Sequence, residues 1–141
     1  MIRLFEFADS EISRIEAIPD GLLIRFAAAV LRMSTAQAKS HSGSGGPQHG
    51  YTNGLSLVLS GARVSGNAAA CTGLLTDGQL VLAGERLRAL PVPSVYTTDA
   101  AHGARLRLEL QSAQGAWLRI DAAGLRCEEA ASAQFHEVFA C

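Results

Sequence analysis

The sequence predicts an all-β protein, an antiparallel sandwich or barrel of about nine or ten short strands with at most one short helix. The clearest observation is that apolar and polar residues alternate in three runs within residues 104–128. Because successive side chains on a strand point to opposite faces, this period of two gives each run one apolar and one polar face. Gln114-Gly115 and Ala123-Gly124 separate the runs, and glycine reaches the positive φ that tight hairpin turns demand. The runs therefore predict an antiparallel meander with one face in the core.

The N-terminal part of the chain predicts a long β-hairpin. Residues 2–7 alternate as a lead-in strand, which the polar segment Ala8-Asp9-Ser10 interrupts. Pro19-Asp20-Gly21 is the strongest turn signal, because proline presets φ for the second turn position and glycine takes the left-handed one. The alanine-rich residues 28–38 favour either a short helix or a continued strand. We expect the strand to continue to about Leu31, because a hairpin partner is already in place.

Residues 34–53 predict a flexible loop rich in glycine and serine. They carry almost no large apolar side chain, and residues 42–47 have a linker composition. A loop of this length in a small domain is usually either functional or disordered, and the flanking residues do not decide between these.

The remaining segments predict shorter strands. Residues 55–64 alternate around Gly61, and a glycine inside a strand pattern indicates a bulge or bend. Asp77-Gly78 predicts a hairpin turn between two leucine-containing runs. Residues 87–93 predict an edge segment, because their two prolines have no amide hydrogen to donate. Residues 135–139 predict a final short strand.

Length and composition bound the class of protein. A chain of 141 residues predicts one domain, and 48% apolar against 18% charged residues is a globular composition. A net charge of −1 gives no basic surface for nucleic acid. Acidic residues near the N-terminus exclude a signal peptide, and the most apolar segment, residues 21–31, is shorter than the roughly 20 residues that cross a bilayer. Three cysteines without a CxxC pair fit a reducing compartment, so we expect a cytoplasmic protein without a membrane partner.

The sequence predicts no cofactor, no metal site and no catalytic residue. His41 and His49 lack the further ligands that a structural metal site uses. The glycine run lacks the Lys-Ser or Lys-Thr ending of a phosphate loop. Cys71 would need a base such as His102 or His136 to become a nucleophile, and a buried inert thiol is the favoured interpretation.

Two groups of residues are candidate sites. Asp9, Ser10 and Glu11 form a polar cluster that either closes a turn by bonding backbone amides, which we favour, or marks a site. Trp117 has the same phase as Arg119, so we expect it on a polar strand face, where an exposed tryptophan anchors interfaces. The alternative is a tryptophan that covers the end of a barrel. With Arg107 on the neighbouring run, Trp117 and Arg119 are the candidate partner-binding residues.

Three segments carry a family resemblance. Residues 7–12 (FADSEI), 22–26 (LLIRF) and 135–139 (FHEVF) resemble a group of small uncharacterised bacterial β-rich proteins, some of them grouped with toxin-immunity proteins. In such sequences a histidine often precedes the aspartate, and here Ala8 stands in its place. The resemblance implies a β-rich binding protein and brings no catalytic residues.

Three functional hypotheses follow. The first is a non-enzymatic cytoplasmic protein that acts through protein contacts, either as an immunity-type protein or as a homodimer. The second is a small-molecule binder with a pocket at the barrel mouth, covered by the loop of residues 34–53. The third is a hydrolase that depends on Cys71.

Overall fold

The computed structural model describes residues 2–34, 48–98 and 105–137, and it is built almost entirely of antiparallel strands. The all-β prediction is confirmed. A single 3-10 turn, Ala69–Cys71, is the one helical element in this part of the chain. The described strands number thirteen, more than the nine or ten predicted. They are β1 (Ile2–Ile18), β2 (Gly21–Ser34), β3 (Gln48–Thr52), β4 (Leu55–Ser60), β5 (Arg63–Gly66), β6 (Gly73–Leu82), β7 (Glu85–Leu87), β8 (Ala89–Pro91), β9 (Ser94–Thr97), β10 (Leu106–Ser112), β11 (Trp117–Ala122), β12 (Gly124–Glu129) and β13 (Phe135–Glu137).

The strands form one sheet in the order β5-β11-β10-β6-β1-β2-β4-β12-β9. Strands β7, β8 and β3 branch from β6, β1 and β2, and β13 pairs with β3. The sheet is open, since no described pairing joins β5 to β9. One buried cluster takes side chains from both halves, such as Leu108 and Ile120 from one and Leu57 and Leu125 from the other. The two halves of the sheet therefore enclose a common core.

Strand β1 is the central element, because it joins the two halves of the sheet. It pairs with β2 along its length, with β8 near its start and with β6 at Glu11 and Ile12. The predicted break at residues 8–10 is a β-bulge instead, where the register with β2 shifts and Asp9 has a φ of 68°. A bulge bends a strand and increases its twist, which lets one strand serve both halves. Phe5 packs at the centre of the core, 4.8 Å from the ring of Phe7 and 5.0 Å from the ring of Phe26.

The turn between β1 and β2 corrects one sequence interpretation. Asp20, and not Gly21, takes the left-handed position, with a φ of 64°. Aspartate tolerates this conformation because its short side chain bonds nearby backbone. Gly21 already belongs to β2, and a Cβ there would lie 2.0 Å from the carbonyl oxygen of Leu59 on β4. The glycine is needed for the close approach of two strands.

The helix alternative for residues 28–38 is wrong over its described part, since β2 continues to Ser34. Residues 35–47 of the predicted loop lie outside the described residues. Gln48–Thr52, predicted as the end of that loop, form β3 between β2 and β13.

The hairpin predicted at Asp77-Gly78 is wrong. Strand β6 runs through both residues, and a Cβ on Gly78 would lie 2.6 Å from the Cβ of Phe7. The turn falls instead at Ala83-Gly84, where both residues have positive φ. Gly61 lies between β4 and β5 with a φ of 59°, in agreement with the predicted bend.

Candidate functional site

The strand register brings the three predicted partner-binding residues onto one surface. In the β10-β11 pair, Arg119 lies opposite Glu109 and Arg107 lies opposite Asp121. Leu118 and Ile120 point the other way and are fully buried. We call the outward surface of these strands and their neighbours the Trp117 face. It comprises Arg63, Ser65, Asp77, Gln79, Arg107, Glu109, Gln111, Trp117, Arg119 and Asp121.

Four charged side chains on the Trp117 face are paired across strands. The Nε of Arg107 donates to the Oδ1 of Asp121 at 3.0 Å, and the guanidinium of Arg119 lies 3.6 Å from Glu109. The Nε2 of Gln79 donates to the Oε1 of Glu109 at 2.8 Å. Exposed pairs of this kind contribute little stability, typically about 0–1 kcal/mol each. Their effect is to order the polar side chains and to balance charge around the indole.

Trp117 is the first residue of β11, at one end of this arrangement, and 57% of its surface is exposed. On one side the indole borders a groove of about 200 Å³, which also has Ser65, Gly66, Glu109, Leu118 and Arg119 as its lining. On the other side it borders a depression of about 30 Å³ that reaches Asp77, Gly78, Gln79 and Glu109. The indole therefore projects from a polar surface between the groove and the depression, and it does not cover the end of a barrel.

The Asp9, Ser10 and Glu11 cluster forms the bulge of β1. Ser10 is fully buried, and its hydroxyl donates to the carbonyl oxygen of Glu6 at 2.6 Å. The same hydroxyl accepts the amide hydrogen of Val30 on β2 at 2.9 Å. Ser10 thus supplies hydrogen bonds that the interrupted ladder lacks, within a β-bulge of β1 and not in the predicted turn. Asp9 and Glu11 are exposed, and none of the three residues lines the groove beside Trp117.

The two cysteines within the described residues, Cys71 and Cys127, are both buried. Cys71 is fully buried, its Sγ lies 3.6 Å from the carbonyl oxygen of Ala116, and burial raises the pKa of its thiol. His102, one of its two predicted partners, lies outside the described residues. His136, the other, is on β13, opposite Tyr51 of β3. Burial, together with the carboxylates of Glu128 and Glu129, raises the pKa of Cys127 to about 12. A raised pKa favours the protonated thiol, which is the less nucleophilic form of cysteine.

An ion pair that sequence reasoning missed joins the first strand to β12. The guanidinium of Arg3 contacts both carboxylate oxygens of Glu129, at 2.5 and 2.9 Å. Its hydrogen bond is the main cause that lowers the pKa of Glu129. The two residues lie 126 positions apart, so no local sequence pattern indicates the ion pair.

Sequence reasoning also missed the groove residues Ser65, Gly66 and Glu109, and Gln79 of the neighbouring depression. The alternation of β10 puts Glu109 on the polar face, and that signal was available. The pairing of β11 with β5 and of β10 with β6 could not be predicted, because it depends on contacts between distant segments.

Comparison of the chain with protein-family models, curated proteins and solved structures finds no match. Within the described ranges, no three histidine, cysteine, aspartate or glutamate side chains are grouped to hold a metal ion. The same residues contain no helix long and apolar enough to cross a membrane. The interpretation of function therefore depends on the geometry of the Trp117 face.

Proposed function

We propose that the chain is a non-enzymatic binding protein whose protein partner docks on the Trp117 face. The observation that supports this is an indole 57% exposed at one end of a face of ordered polar side chains. Covering that exposed surface removes on the order of 130 Å² from water, worth roughly 3 kcal/mol. The ion pair of Arg119 with Glu109 lies in the next outward row of the sheet, and that of Arg107 with Asp121 lies in the row after it. An exposed aromatic anchor beside polar side chains is common in protein interfaces.

The class of partner follows from the family resemblance and from the surface. An immunity-type protein binds a toxin, and a self-associating protein binds a second copy of itself. Both use a preformed surface and need no catalytic residue. The buried free thiols of Cys71 and Cys127 support a reducing compartment, so we place this binding in the cytoplasm.

Variants that change one exposed side chain test the proposal. We expect Trp117→Ser to abolish stable association with a partner that co-purifies from the host. Val95→Ser is the matched control, because Val95 is 65% exposed on β9 at the other end of the sheet. Substitutions at such exposed sites usually change stability by about 0.5 kcal/mol or less, so both variants should fold. Equal loss in the two variants, or no loss in either, would contradict the proposal.

A small ligand in the groove is the second candidate function. The sequence predicted a pocket at the barrel mouth under the loop of residues 34–53, most of which lies outside the described part. The groove of about 200 Å³ lies instead on the outer face beside Trp117. Native mass spectrometry of protein from its own host would show an added mass of a few hundred daltons. Loss of that mass in Trp117→Ser, with no protein partner in either sample, would favour this function over the first.

A further inference from the structure

Strand β5 is a free edge of the sheet. It pairs with β11 on one side, and no described strand covers its other side. All four of its residues are exposed. Proteins protect such edges with proline, charges, bulges or covering segments, because unpaired backbone groups recruit another strand. Strand β5 contains no proline and a single charged residue, Arg63. It also forms the margin of the groove beside Trp117, through Ser65 and Gly66.

We infer that β5 pairs antiparallel with β5 of a second copy of this chain, with Ser65 on the two-fold axis. This inference rests on the proposed function, since it names a second copy as the partner of the Trp117 face. A two-fold contact requires a self-complementary surface, in which each residue meets the equivalent of its own partner. The side chains of β5 meet that requirement in one register.

The core-side residues of β5 fit one another in this register. Residues directly opposite in an antiparallel pair point to the same face, so Val64 lies opposite the partner's Gly66 and each Ser65 faces its counterpart. Val64 shares the core side with Ile120, yet it is 44% exposed because it lies at the edge. The partner's Gly66 has no side chain, so it leaves room for Val64. Two serines at the axis are small and uncharged.

The outer-face residues also fit. Arg63 then lies opposite the partner's Asn67, the residue that follows β5. The partner's Trp117 directly precedes Leu118, which pairs with Gly66, so one further step along the ladder brings that tryptophan beside the partner's Asn67. Strands are spaced by about 4.8 Å, so Arg63 and that tryptophan start about 10 Å apart, within reach of two long side chains. A guanidinium over an indole is a favourable cation-π contact. The carboxylate of Glu109, which also lines the groove, adds to the attraction for a cation.

The competing register has Val64 on the axis and is less favourable electrostatically. Arg63 would then lie opposite the partner's Ser65, which is paired with Arg119. Two arginines would then lie two strands apart on the same face, where their like charges repel each other weakly. Trp117 would also stay uncovered. Charge therefore selects the register with Ser65 on the axis.

The contact is small, since it adds one short strand pair and two Trp117 contacts. Interfaces below about 1,200 Å² are characteristic of weak and transient association. We expect a reversible dimer that forms at high micromolar concentration.

The test is Ser65→Glu, which has opposite effects within and between copies. Within one copy the new carboxylate lies opposite Arg119, so the fold is retained. Across the axis two such carboxylates face each other and should weaken the dimer at least tenfold. Val95→Glu is the matched control, because Val95 is an exposed residue of the other edge strand and lies opposite Arg126. We expect it to dimerise like the wild type.

Sedimentation equilibrium between about 10 μM and 1 mM would measure the dimer. Trp117 is the only tryptophan, so its fluorescence should shift to shorter wavelength with concentration in the wild type and less in Ser65→Glu. Mixing Ser65→Glu with Ser65→Lys should restore the dimer as a mixed species.

Three results would overturn the inference. Stronger association of Ser65→Glu would indicate the Val64 register, because the carboxylate would then face the partner's Arg63. Dimerisation unaffected by Ser65→Glu would place the contact elsewhere. A wild type that stays monomeric throughout would exclude the dimer, while loss of a host partner by Trp117→Ser would still support the proposed function.

Discussion

Replacing Gly21 with alanine tests the close approach of β2 and β4. The added carbon would lie 2.0 Å from the carbonyl oxygen of Leu59, and such carbons essentially never come within 3.0 Å of another atom. The strands must therefore separate locally by about 1 Å. Overpacking of this kind costs about 1–3 kcal/mol, and a weakened ladder hydrogen bond adds about 1 kcal/mol. We expect Gly21→Ala to lower the free energy of unfolding by about 2–4 kcal/mol.

Urea unfolding measures this change against two control variants. Gly115 has a φ of 89° and open space around it, so Gly115→Ala isolates the cost of the left-handed backbone, about 1–2 kcal/mol. Asp20→Gly relieves a positive φ in the same turn and should be neutral or stabilise by up to about 1 kcal/mol. If Gly21→Ala costs no more than Gly115→Ala, the steric argument is wrong.

Three further predictions concern stability and reactivity. Ser10→Ala should cost about 1–3 kcal/mol and speed hydrogen exchange at the amide of Val30, because it leaves that buried amide without its acceptor, whereas Ser13→Ala at an exposed hydroxyl should have little effect. Glu129 has its pKa lowered by Arg3, so its stabilising contribution is complete above the ordinary glutamate pKa and is lost as pH falls through the lowered value. The free energy of unfolding, measured at pH 7, 5, 4 and 3, should accordingly fall less steeply with acid for Glu129→Gln than for the wild type. Equal slopes for the two proteins would refute this. Cys71 and Cys127 should react with a thiol reagent far more slowly in native protein than in urea, and equally fast labelling would contradict their burial.

The candidate site shows what the alternation of apolar and polar residues can predict and what it cannot. The period of two predicted that Trp117 and Arg119 share a polar face, and the structure places them there. It could not predict that Glu109 and Gln79 meet beside the indole, because that requires the register of β10 against both neighbours. It also could not show that Arg107 and Arg119 are each paired with a carboxylate.

Glycine positions illustrate the same limit. Gly61 and Gly115 have the positive φ that local turn chemistry predicts. Gly21 and Gly78 are needed because another element passes close, Leu59 for one and Phe7 for the other. A glycine in a turn motif and a glycine under a neighbouring strand look alike in sequence.

The sequence by itself determined the all-β class and which residues of β10 and β11 face the core, because both follow from local alternation along the chain. Only the tertiary structure decided which strands are neighbours. The pairing of β6 with β10, of β4 with β12, and of Arg3 with Glu129 joins segments far apart in sequence. A strand with alternating apolar and polar residues could pair with many other such strands. The choice of neighbour therefore depends on how the whole core packs. Among the described strands, that choice left one side of β5 without a partner beside Trp117, where we propose that binding takes place.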